Sequence, residues 1–166
     1  MRSLMQLRKI YQPIALACAF ATALIAQRPN DEPRPNIVYI LLDDAGWGDL
    51  GCYGQEKLKT PHMDRLARDG MRFTQHYSGS TVCAPTRSCL MTGQHTGHTP
   101  IRGNGRAPGE PERVLPLGAG ATTVASLLKQ RGYATGGFGK WGCGGRDSTG
   151  VPEEHGFDTF FGYYDQ

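Results

Sequence analysis

The feature that most constrains this chain is the run at 36–42, Asn-Ile-Val-Tyr-Ile-Leu-Leu, closed by Asp43-Asp44. A strand with one wet face alternates apolar and polar residues. An almost unbroken apolar run instead predicts a strand buried on both faces, inside a parallel sheet. Ligands of open parallel sheets collect outside the carboxyl ends of the strands. The two acids therefore fall where such a sheet would build a site.

The rest of the chain punctuates itself as further α/β units. Thr60-Pro61, followed by Met63, Leu66 and Ala67 and closed by Gly70, predicts a short helix with Thr60 as cap. Residues 71–77, with Met71, Phe73 and Tyr77 as apolar positions, read as a strand. A second helix is expected over 85–91, opened by Pro85. Thr122-Thr123 caps a third, with Val124, Leu127 and Leu128 as its stripe and Gly132 as its stop. Residues 133–138 form another candidate strand, weakened by its glycines. Helices alternating with strands imply crossover connections and a parallel sheet with helices on both faces. The Gly/Pro-rich residues 102–120 read as a long surface loop, and no internal repeat is present. Twenty-three glycines and 11 prolines mark many turns between well-formed apolar segments, not disorder.

Residues 1–26 stand apart. Arg2, Arg8 and Lys9 precede an apolar, Ala-rich stretch at 14–26 with small residues at Ala21, Ala23 and Ala26. This is the layout of a secretory signal. The apolar run is shorter than the ~20 residues a membrane span needs, and too little apolar sequence precedes Cys18 for a lipoprotein signal. Export to the periplasm or exterior is expected, with 27–35 as a Pro-rich leader and 36–166 as the folded part. The whole chain holds 18 Lys+Arg against 15 Asp+Glu. Removing Arg2, Arg8 and Lys9 balances the signs, so the basic excess gives no ground for nucleic-acid binding. Four cysteines remain: Cys52, Cys83, Cys89 and Cys143.

Three places carry chemistry. Asp43-Asp44 suits a hard divalent cation with oxygen ligands, although such a dipeptide is commoner as a turn or cap. Cys83-Ala84-Pro85-Thr86-Arg87-Ser88 puts a thiol just before a proline-opened helix, where unpaired N–H groups favour an anion. Arg87, one turn on, offers a planar fork for a tetrahedral oxyanion, and Thr86 and Ser88 add hydroxyls. A nucleophile so placed suits attack on sulfate or phosphate. The bland alternative is a structural cysteine paired with Cys89, two turns away and too far for easy bridging. Third, Lys140 ends the glycine-rich 136–139 and can reach the same crevice, though alone such a lysine is more often solvated. His95 and His98 match zinc spacing poorly and read as loop hydrogen-bonding residues.

Together these segments resemble the type I sulfatases of the alkaline phosphatase superfamily. The resemblance spans residues 35–44, Gly51-Cys52-Tyr53-Gly54, residues 60–67, Cys83-Ala84-Pro85-Thr86-Arg87-Ser88, residues 92–104, Gly139-Lys140-Trp141 and Gly156-Phe157-Asp158. It implies an α/β fold, a mostly parallel sheet flanked by helices. It also implies that a formylglycine-generating enzyme reads the Cys-x-Pro-x-Arg core and oxidises Cys83 to Cα-formylglycine, with Thr86 where serine is usual. One hydroxyl of the hydrated aldehyde would attack sulfur and the other would expel sulfate. Asp43 and Asp44, with the modified Cys83, would hold calcium. Arg87 would anchor the formylglycine, and Lys140 would contact the sulfate ester.

The chain departs from that pattern in two ways. Gly142 stands where many members carry a histidine. The family also contributes a further Asp/Asn calcium pair, a histidine and a lysine from downstream, so the resemblance implies a truncated, N-terminal portion, expected to be inactive alone and poorly soluble. The function expected is hydrolysis of a sulfate monoester of a sugar or aromatic alcohol. Rivals are a phosphomonoester or phosphonate ester hydrolase of the same superfamily and a non-catalytic secreted binding protein. Neither nucleic acid nor a stable membrane span is expected.

Overall fold

A computed structural model describes residues 33–165. The expected signal at 1–26 and most of the 27–35 leader lie outside the described residues. The chain divides into two units after Ile40. Of the first, residues 33–40 are irregular, with Ile37, Val38, Tyr39 and Ile40 exposed.

The second unit holds the regular elements. Helix α1 (Pro61–Asp69) starts and stops where proline and Gly70 predict. The Thr60 hydroxyl accepts from Gly51 N–H and donates to Asp64, so it ties the helix to the preceding turn rather than capping its own N–H groups. Helix α2 (Cys83–Thr92) begins two residues before Pro85. Hairpin strands β1 (Arg106–Ala107) and β2 (Glu110–Val114) pair antiparallel. Helix α3 (Val124–Gln130) is capped by Thr123, whose hydroxyl accepts from Ser126 N–H. Strands β3 (Gly136–Lys140) and β4 (Thr159–Tyr163) run parallel in register, Phe138 opposite Phe161. Backbone bonds from Trp141 and Gly142 to the carbonyls of Tyr163 and Tyr164 continue that pair, so Lys140 leaves β3 at its carboxyl end. The glycine of β4 has a steric reason: a Cβ at Gly162 would run into the Gly139 carbonyl of β3.

The core gathers Ala84, Ile101, Leu117, Trp141 and Cys143, with Phe157 and Phe160 against it. Trp141 donates its indole N–H to the Gly150 carbonyl at 2.6 Å and meets Phe157 edge-on. This pairs the one polar atom of a large apolar side chain that is 4% exposed.

Several expectations are corrected. Residues 36–42 form no strand. Continuous apolarity signals burial between ladders, and the parallel pairing of the described residues is confined to β3 and β4. Residues 71–77 are irregular and leave Met71, Phe73 and Tyr77 exposed. The Phe73 carbonyl accepts from the Tyr53 hydroxyl rather than from a ladder neighbour. Residues 102–120 contain the hairpin and two core residues, Val114 and Leu117. On α3 the buried residue is Ala125, while Val124 and Leu127 are exposed.

Candidate functional site

Asp43 and Asp44 occupy a turn, with Asp44 at φ 55°. Left-handed backbone is open to Asp because its short polar side chain is tolerated there. The turn brings Asp44 Oδ1 to 4.0 Å from Cys83 Sγ. Cys83 is the first residue of α2 rather than the residue before it, and Val82, as N-cap, has no side-chain acceptor. Arg87 is one turn on, so the two share a face.

Arg87 is held from two directions of the fold. One terminal nitrogen donates to the Lys140 carbonyl at 2.5 Å and the other to Asp43 Oδ1 at 3.2 Å. Its Nε is buried without a partner among the described residues. Lys140 Nζ donates to Asp43 Oδ2 at 2.8 Å. The Arg87 and Lys140 side chains are only 11% and 10% exposed, against 37% for Asp43. The solvated-surface reading of Lys140 is therefore overturned. Hydrogen bonding to Lys140, and then to Arg87, holds the Asp43 carboxyl below its ordinary value against the opposing effect of burial. Reciprocally, the bond to Asp43 raises Lys140, burial opposes it, and the Cys83 sulfur adds to the rise.

An open cleft before the mouth of α2 is lined by Asp43, Asp44, Ser78, Ser80, Cys83 and Arg87. Candidate ligand atoms of Asp43, Asp44 and Cys83 lie within 4.8 Å of one another, the only such metal-capable group among the described residues. The two carboxylates suit a hard cation; a thiol sulfur does not, whereas an oxygen at position 83 would. The donor set thus fits calcium on the condition that Cys83 is converted.

Other expected contributors serve packing. The Thr86 hydroxyl donates to the Ser80 carbonyl, and Ser88 is fully buried against Thr99. Neither hydroxyl is directed at the charged cluster. Cys83 and Cys89 are both free, as are Cys52 and Cys143. Burial pushes the Cys143 thiol up to about 12, which leaves it inert. His95 Nδ1 accepts from Gly97 N–H, the loop role expected of it. Gly142 adopts φ 70°, a conformation that a histidine would enter at a cost. Sequence reasoning missed Asn104, whose Oδ1 accepts the Ala84 N–H at the start of α2. Its position in the polar turn Arg102-Gly103-Asn104-Gly105 gives no local sign of that partner.

A cysteine at a helix mouth, an arginine beneath it and two acids and a lysine converging from distant segments define an α/β protein with a charged site built around a helix-borne cysteine. The chain belongs to the sulfatase family, whose profile, described as Sulfatase, matches residues 35–166. It is 41% identical to human arylsulfatase D over 143 residues, covering 78% of this chain and 23% of that protein. It is 39% identical to mouse steryl-sulfatase over 161 residues, covering 89% and 25%. Among solved structures it resembles one from a study of glycosaminoglycan metabolism by Bacteroides thetaiotaomicron, with TM-score 0.66 and 39% identity, covering 77% of this chain and 28% of that one. The chain thus spans about a quarter of the length of the relatives it matches.

Proposed function

We propose that this chain carries the nucleophile and one half of the metal site of a hydrolase that cleaves sulfate monoesters of sugars or aromatic alcohols. One observation carries the reading: Asp43 binds both Arg87 and Lys140 beside Asp44 and Cys83, in a chain of the sulfatase family. Cys83 is read as the site of conversion to Cα-formylglycine by a formylglycine-generating enzyme, and the hydrated aldehyde would supply two hydroxyls, one to take the sulfo group and one to release sulfate. Calcium, when bound by Asp43, Asp44 and the position-83 oxygen, would supply positive charge for a sulfate oxygen and for the nucleophile.

The chain's own residues do the rest. Arg87, locked by the Lys140 carbonyl, holds a fixed positive charge one turn beneath position 83. Lys140 stays protonated throughout the neutral range, because Asp43 raises it. It is therefore a donor for the sulfate ester and never a base. Export fits the layout of residues 1–26 and belongs to the same proposal.

The test is mass spectrometry of the peptide spanning Cys83 from a host able to make formylglycine, paired with hydrolysis of nitrophenyl sulfate and nitrophenyl phosphate. The expected peptide has exchanged sulfur for oxygen and lost two hydrogens, and the protein prefers the sulfate. An unmodified thiol would refute the mechanism, and a preference for the phosphate would refute the substrate class.

A further inference from the structure

The geometry points to Asn104 and Thr99 as positioning residues that fix the rotation of α2 about its own axis, and with it the direction in which Cys83 and Arg87 face. This rests on the reading that Cys83 bears the nucleophile. Cys83 and Arg87 are four residues apart and share one face of the helix; Ala84 and Ser88, also four apart, share the next face, ~100° round.

That second face is fastened at both ends by one short stretch of chain. The Ala84 N–H donates to Asn104 Oδ1 at 3.0 Å. One turn on, the Ser88 and Thr99 hydroxyls share a hydrogen bond with both residues at 0% exposure. Ile101, 1% exposed, joins the same apolar cluster as Ala84. The segment 99–104 therefore lies on α2 with an apolar contact between two polar anchors. Apolar packing is non-directional and leaves a helix free to roll; hydrogen bonds at two heights do not. Asn104 also supplies, from twenty residues away, the acceptor that Val82 lacks as N-cap. Side-chain tips lie roughly 5 Å from a helix axis, so a roll of about 10° moves the position-83 nucleophile by about 1 Å. A displacement of that size is enough to cost ~100-fold in rate.

The test compares Asn104→Ala, Asn104→Asp and Thr123→Ala. Asp keeps an acceptor for Ala84 N–H, while Thr123→Ala removes the cap of α3 and lowers stability elsewhere. For nitrophenyl sulfate, N104A is expected to lose about 10- to 100-fold in kcat with KM changed less than about threefold. N104D should recover kcat to within about threefold, and T123A should lower the melting temperature with kcat within about twofold of the parent. Amide exchange at Ala84 should accelerate in N104A and slow again in N104D. The inference is overturned if N104A keeps its kcat, if N104D does no better than N104A, or if T123A loses kcat equally. A parent that turns over no sulfate ester, as the resemblance implies for this portion alone, leaves the hydrolase reading to the mass of the Cys83 peptide. The clamp is then decided by exchange alone, and unchanged protection at Ala84 in N104A overturns it.

Discussion

Asp43→Asn is the most informative single perturbation, because Asp43 alone separates two cations that are each nearly buried. At an effective dielectric of about 20, Coulomb's law gives about 6 kcal/mol for the 2.8 Å contact with Lys140 and about 5 kcal/mol for the 3.2 Å contact with Arg87. These are gross attractions. Asp43 is 37% exposed, so water screens both, and all three groups surrendered hydration to come together. A net loss of roughly 2 kcal/mol is expected for D43N, between the exposed-pair and buried-pair ranges. In a chain of this length that lowers the melting temperature by about 4–8 °C. The assay is urea unfolding of dilute protein in EDTA, followed by the fluorescence of Trp141, which is 4% exposed and so senses loss of the core. Lys140→Met and the double variant complete a cycle. If the pair is real, the double variant costs about 1 kcal/mol less than the two singles together, because K140M removes the charge that D43N strands. Singles that add to within about 0.3 kcal/mol would refute the coupling.

The same pair fixes a pH dependence. Asp43 is depressed below 3.8, so its contribution is present above that value and is lost as pH falls through the lowered one. Lys140 is raised above 10.5, so its contribution is present below that value and is lost as pH rises through the raised one. The stability gap between wild type and D43N should therefore be flat across neutral pH and shrink only below 3.8 and above 10.5; a gap that changes between these limits would contradict it. Calcium at about 100 times its dissociation constant should stabilise the converted chain by about 2.7 kcal/mol, read as a raised urea midpoint. An equal shift in a D43A/D44A variant would show that the ion binds elsewhere. Leu117→Ala should cost about 2–5 kcal/mol, since Leu117 is 0% exposed within the apolar cluster; a loss below about 1 kcal/mol would place Leu117 outside the cooperative core.

What was legible in the sequence was punctuation. Pro61 and Gly70 bound α1 and Thr123 caps α3, because caps act over a single turn. What was not legible depended on partners far along the chain. The run at 36–42 carries the apolarity of a buried strand, but a ladder is a property of two segments, and no local pattern supplies the second. The hairpin at 106–114 hid in a Gly/Pro-rich stretch that looks like a loop whether or not its ends pair. For the site, the residue types were readable from the family resemblance, whereas their pairing was not. Nothing in Asp43-Asp44 says that one acid takes two cations while its neighbour turns toward a thiol.

The four charges around the cleft cancel: two acids, one guanidinium and one ammonium. Such a cluster exerts little pull on a distant anion, since its net charge is zero and its field falls off faster than that of a lone charge. Any attraction for the singly charged head of a sulfate ester must be switched on by an added positive charge, which makes ion and substrate arrive as a matched set. Sulfate or phosphate from the buffer should accordingly gather little at this mouth until that charge is present.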